Sequence, residues 1–133
     1  MSEYEVPDDL RYTSEHEWVK KIGPREVRIG ITDYAQSALD DVVFAQLPAA
    51  EDEVAEGVSF AELESTKSVS DIFGPINGSV SAVNTELEAH PELVNSDPYG
   101  AGWLVEITVS DDTELDTVLA DLLDAQGYRS LTE

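Results

Sequence analysis

The chain has 133 residues, with 7 basic and 29 acidic side chains and a formal net charge of −22, a length that predicts one domain with a single buried core. The charge excludes a free-standing nucleic-acid binder, which needs clustered Lys and Arg for phosphate contacts, and an anionic membrane surface would repel the chain. Cysteine is absent, which excludes disulfides, a thiol nucleophile and thiolate metal sites.

About a quarter of the residues are Leu, Ile, Val or Phe, above the roughly 20% typical of disordered chains, so a folded protein is expected. The start, Met1 to Glu5, is acidic, and no apolar run approaches eighteen residues. Neither a signal peptide nor a membrane span is predicted, and a cytoplasmic location is expected.

In chain order, an extended N-terminal tail leads through Tyr12 to Val19 to the turn signal Gly23-Pro24. Val27 to Ile31 then alternates with period two and predicts a strand. Asp33 with Gln36 predicts a capped short helix carrying Ala35 and Leu39 on one face. Val42 to Leu47 predicts a buried strand ended by Pro48, and Val58 to Glu64 another after Gly57. The run Glu64-Ser65-Thr66-Lys67-Ser68-Val69-Ser70-Asp71, mostly short polar residues between two apolar stretches, predicts a hairpin with Lys67 at or near its tip. Asn77-Gly78 signals a further hairpin turn into Ser79 to Val83. Residues 84–102 read as loop with one helical turn at Thr85 to Ala89, and Trp103 to Val109 as the last strand. A final helix, about 111–125, carries the stripe Leu115, Val118, Leu119, Leu122 and Leu123, with Asp111 and Glu114 as its capping pair and Gly127 at its C-terminal end. The pattern predicts a mainly β sandwich or barrel with peripheral helices over 1–133, the core spanning about 10–110.

From Ile29 to Tyr128 the single basic side chain is Lys67. Acidic chains poor in lysine suit molar salt, where carboxylate repulsion is screened over about 3 Å, and a halophilic source is expected. Lys67 reads either as a salt-bridge partner for Glu64 or Asp71, or as a displayed side chain. Nothing apolar in the surrounding sequence would desolvate its amine and make it a nucleophile, whereas carrying a covalent group requires only display.

Glu64-Ser65-Thr66-Lys67-Ser68-Val69-Ser70-Asp71-Ile72-Phe73-Gly74-Pro75-Ile76-Asn77-Gly78 resembles the lipoyl-lysine hairpin of the glycine cleavage system H proteins. Glu15-His16-Glu17-Trp18-Val19, Gly30 to Gln36, Val43-Phe44 with Leu47-Pro48, Pro91 to Gly100 and Gly102-Trp103-Leu104 resemble that family's other motifs in the same order, over roughly residues 10–128. Two positions depart: Asp40 stands where the family usually has Gly, and Glu15 where a small polar residue is also found. The resemblance implies a lipoyl-domain-like fold, a flattened barrel or barrel-sandwich hybrid, and lipoate carried covalently on Lys67. It implies a non-catalytic carrier that takes the aminomethyl group of glycine from a pyridoxal-phosphate glycine decarboxylase to a folate-dependent aminomethyltransferase. A dihydrolipoyl dehydrogenase and a lipoate-attaching enzyme complete the implied partners. It further implies that Glu17 and Asp71, with Glu15 as a third, line the cleft that shelters the loaded arm.

Other readings remain. A biotin carrier would set its lysine between methionines, where Lys67 has Thr66 and Ser68. A lipoyl domain of a 2-oxoacid dehydrogenase would share the hairpin but not residues 15–19. An H-like relay of octanoyl or lipoyl groups to other enzymes keeps the carrier chemistry. A metal-dependent enzyme built on His16, with His90 elsewhere, lacks the fixed spacing of metal-binding motifs.

Overall fold

The computed structural model describes residues 4–132, the side chains of 112–114 excepted. Strands β1 (Arg11–Tyr12), β2 (Glu17–Gly23) and β3 (Glu26–Ile31) precede helix α1 (Asp33–Leu39). Then come β4 (Val42–Gln46), β5 (Glu53–Val54), β6 (Ser59–Ser65), β7 (Val69–Phe73) and β8 (Gly78–Val83). Short helices α2 (Glu86–Ala89) and α3 (Leu93–Ser96) lead to β9 (Val105–Thr108), and α4 (Asp112–Asp121) and α5 (Ala125–Thr132) follow.

The strands form two antiparallel sheets that do not close into a barrel: a six-stranded one ordered β1-β2-β3-β9-β8-β5 and a three-stranded one ordered β4-β6-β7. The main core lies between them. Val27 and Ile29 on β3 and Val105 and Ile107 on β9 meet Leu63 on β6 and Ile72 on β7 in one buried cluster. Each such side chain contributes roughly 1.5–3 kcal/mol on burial. The fold is the expected mainly β sandwich, with lipoyl-domain-like architecture.

A second cluster forms where Tyr12, Trp18, Ala125 and Tyr128 pack with Val6 and Leu10. Trp18 pairs with Gly30 across β2 and β3, and its Nε1 donates to the Pro98 carbonyl at 2.9 Å. A Cβ on Gly30 would lie 2.6 Å from the Trp18 ring, so only hydrogen fits. Gly30→Ala is expected to destabilise the fold by about 1–3 kcal/mol through overpacking, read from urea unfolding. An unchanged midpoint would show that the indole has room to shift.

Several sequence expectations change. The predicted C-terminal helix is two helices, because the backbone at Leu123 leaves α4 to exchange two hydrogen bonds with Tyr12 of β1, at 2.8 and 2.9 Å. Gly127 therefore lies inside α5, where its amide donates to Asp124 Oδ1 at 2.8 Å, an N-terminal cap rather than a C-terminal one. The predicted Asp111–Glu114 capping pair involves a side chain outside the described residues. Helix α1 is capped by Thr32, whose hydroxyl accepts from the Ala35 amide. Gly78 opens no hairpin, since β8 pairs with β5 and β9 rather than β7; a Cβ there would meet Ile107 and the Thr108 carbonyl at 2.6 Å. In β4, Val43 and Phe44 are exposed rather than buried.

Candidate functional site

Strands β6 and β7 pair in register up to Glu64 opposite Val69. The turn between them closes when the Ser65 amide donates to the Ser68 carbonyl at 2.8 Å. Ser65 Oγ accepts from the Lys67 and Ser68 amides at 3.1 and 3.0 Å. The Thr66 amide donates to the Asp41 carbonyl at 3.1 Å, anchoring the turn to the segment before β4. Lys67 is thus held on a fixed backbone with its side chain exposed.

Beside the hairpin, between β7 and α1, lies a cleft of about 260 Å³. Tyr34, Ala35 and Leu39 of α1 and Val69 and Ile72 of β7 give it an apolar wall, and Ser68, Ser70, Glu15 and Asp71 add hydroxyls and carboxylates. Both of these acids are exposed. Asp71 Oδ1 accepts from the Ser59 hydroxyl at 3.4 Å. The structure therefore brings Glu15 and Asp71 to one cleft alongside the lysine hairpin.

Glu17 is placed differently. It is 1% exposed and does not line this cleft. One carboxylate oxygen accepts from the Phe73 amide of β7 at 2.7 Å, and the other from the Thr13 hydroxyl at 3.2 Å. The structure places this carboxylate behind the cleft rather than in it: its oxygens are taken by the protein's own donors, and it staples β2 of the large sheet to β7 of the small one. Burial pushes its carboxyl up to about 7, against the opposing pull of the Phe73 and Thr13 hydrogen bonds.

His16 lines the cleft with φ at 68°, in the left-handed region. Its Nδ1 lies 2.8 Å from the Tyr128 hydroxyl, and burial lowers the imidazole pKa, opposed by the neighbouring Glu15, so the ring is neutral at pH 7. Among the described residues no three His, Asp or Glu converge on a metal-sized site. His90 instead pairs with Glu92 at 3.1 Å on exposed loop.

Tyr128 carries no local sequence signal of a role in the site. It is fully buried on α5 and stacks on Tyr12 with centroids 4.8 Å apart. Its hydroxyl also lies 2.7 Å from Oγ1 of Thr32, the cap of α1. Burial pushes this phenol up to about 12. One hydroxyl thus braces two parts of the cleft wall, His16 and the start of α1. Tyr128→Phe keeps the stacking but strands both partners, and is expected to cost about 1–3 kcal/mol; thermal unfolding that matches wild type would show that water replaces the bond.

Asp40 keeps the backbone of the glycine it replaces: φ 69° with ψ −151° lies in a region essentially restricted to glycine, so the side chain is held there under strain. Its carbonyl accepts from Asn95 Nδ2 of α3 at 2.6 Å, which holds the turn between α1 and β4.

An isolated lysine, displayed on a rigid hairpin of a two-sheet β sandwich and flanked by an apolar, acid-tipped cleft, defines a carrier of a covalently attached group. The family model described as Glycine cleavage H-protein matches residues 10–133. A glycine cleavage system H protein of Nocardia farcinica is 61% identical over 126 residues, 95% of this chain and 96% of that protein. One of Mycobacterium avium is 58% identical over 130 residues, 97% and 98% of the two chains. The crystal structure of a glycine cleavage system H protein from Mycobacterium marinum superposes with a TM-score of 0.84 and 38% identity, covering 96% of this chain and 98% of that one. The chain belongs to the glycine cleavage H-protein family. Its members are lipoyl carriers of the glycine cleavage system, with lipoate bound covalently to a lysine.

Proposed function

We propose that Lys67 is the lipoylated residue and that the cleft beside β7 receives the loaded arm. The observation that carries this reading is the placement of the one lysine between residues 29 and 128 at the tip of the β6–β7 hairpin. The residues fit the group. Tyr34, Ala35, Leu39 and Ile72 offer an apolar wall to a hydrocarbon chain, and Glu15 and Asp71 offer carboxylates to a terminal ammonium. When bound, lipoate supplies a redox-active dithiolane for group transfer.

The chain's own residues then hold and shelter. Ser65 fixes the backbone from which the arm extends, so the arm's swing is centred on a defined point. Asp71 and Glu15 attract a cation into the cleft, and neutral His16 adds no competing positive charge there. Glu17 supports the site from behind, holding the end of β7 through Phe73. None of these roles makes or breaks a bond to substrate, which is the behaviour of a non-catalytic carrier.

The partners are glycine decarboxylase, the aminomethyltransferase, dihydrolipoyl dehydrogenase and a lipoate-attaching enzyme, which the tethered arm serves in turn. Tethering raises the arm's effective concentration at each docked partner to roughly mM. We place the protein in the cytoplasm; no helix among the described residues is long and apolar enough to cross a membrane. The net charge of −22 is what supports a halophilic source; the relatives named above come from Mycobacterium and Nocardia.

Peptide mapping of the native protein tests the attachment site: a lipoyl amide on the Lys67 peptide is expected, with glycine-dependent exchange of carbon dioxide when glycine decarboxylase is added. An unmodified Lys67 in protein that supports the exchange would overturn it.

A further inference from the structure

The large apolar side chains exposed among the described residues are Ile22, Val43, Phe44, Val58, Val69 and Leu131. Single exposed apolar residues need no explanation. Three of these six, however, lie on the two outer strands of the small sheet that carries Lys67: Val43 and Phe44 on β4, 53% and 49% exposed, and Val69 on β7, 57% exposed.

The register puts two of them in one row. Phe44 stands opposite Glu64, and Glu64 opposite Val69. Ala45 and Leu63, the neighbours of Phe44 and Glu64 along their strands, point into the core, so the row faces outward. With strands about 4.8 Å apart, Phe44 and Val69 flank Glu64 on one face roughly 10 Å from each other. The next row on that face is Gln46, Glu62 and Asp71. No residue of β4, β6 or β7 is basic. The face is an apolar patch set among carboxylates, starting two residues beyond Lys67, and its Val69 and Asp71 also line the arm cleft, so patch and cleft meet along β7.

We propose that this outer face, with Phe44 and Val69 as its apolar contacts, docks the enzyme that acylates Lys67. The partner is accordingly an acyl-transferring enzyme whose active-site mouth is apolar and ringed by Lys or Arg. The proposal rests on Lys67 being the attachment site.

Two considerations choose this occupant. Charge complementarity requires a cationic partner surface. And acylation is the one step that acts on the bare lysine, before any arm exists. In it the Lys67 amine, having released a proton to a base of the partner, adds to the carbonyl carbon of an activated acyl donor. The amide C–N bond forms, the bond from that carbon to the leaving group breaks, and no oxidation state changes. The amine must reach the donor on its own short stem, so the hairpin's flanks cannot avoid contact with the enzyme. Once the arm is attached, its reacting end works at a distance from the sheet and this constraint is relaxed.

The test uses the whole unlipoylated protein with a lipoate-activating ligase, ATP and lipoate, following lipoylation by intact mass over a range of carrier concentrations. Phe44→Ser, Val69→Ser and the double variant change exposed side chains, and their melting temperatures are expected to match wild type. The double variant is expected to raise KM for the carrier about tenfold with kcat within twofold, and raised salt to weaken wild-type docking in the same sense. A double-variant KM within twofold of wild type overturns the proposal. So does normal lipoylation of Phe44→Ser, whose side chain lies outside the arm cleft, combined with slowed glycine exchange after modification, which would give the face to another partner. If wild type takes up no lipoyl group at Lys67, the attachment site itself falls; if wild type and double variant are modified alike at Lys67, the docking surface alone does.

Discussion

Lys67→Arg is expected to lower lipoylation and glycine exchange to background while leaving the fold intact. Arginine keeps the positive charge but does not give up its proton in proteins, so it offers no lone pair to an acyl donor. The side chain is exposed, and the turn is held by backbone groups and Ser65 rather than by the lysine itself. Unfolding is therefore expected to change by less than about 0.5 kcal/mol. Intact mass and urea unfolding check the two halves. Lipoylation of the variant at Lys20 or Lys21, both exposed on β2, would show that display alone is enough and that the hairpin carries no specificity.

The hairpin was legible because short polar residues between apolar strands leave few alternatives to a turn, and a lysine in an otherwise lysine-free stretch stands out. The break between α4 and α5 was not legible. Leu122 and Leu123 continue the apolar stripe, and what ends the helix is a tertiary event, the two backbone bonds between Leu123 and Tyr12. Gly78 misled for a related reason: its value lies in letting β8 approach β9, which a local turn signal imitates. Glu17 shows the limit of alternation. Glu17, Trp18 and Val19 are consecutive and all buried, because at this end of β2 one face packs in the main core and the other in the aromatic cluster. A pattern of period two assumes one wet face, and here there is none.

That burial makes Glu17→Gln the sharpest test of the staple between the sheets. The carboxyl is raised from an ordinary 4.5 to about 7, with burial as the main cause. Below pH 4.5 it is protonated whether the chain is folded or not, and folding gains nothing from pH. Between about 4.5 and 7 the unfolded chain has released the proton while the folded one still holds it, so stability falls as pH rises. Above 7 the loss is complete. At about 1.4 kcal/mol for each tenfold change in protonation, it reaches roughly 3 kcal/mol. Glutamine keeps an oxygen to accept from the Phe73 amide, and its amide group can donate to Thr13 Oγ1, but it has no proton to lose. Across pH 5 to 8 the variant is therefore expected to gain on wild type by up to about 3 kcal/mol, because the other carboxylates are common to both chains and cancel in the difference. Urea unfolding of the two proteins at half-unit pH steps measures this. Parallel stability curves would mean that Glu17 ionises at its ordinary value in the folded protein. The Phe73 and Thr13 hydrogen bonds would then fully offset its burial, and the staple would be a stable carboxylate rather than a proton-holding acid.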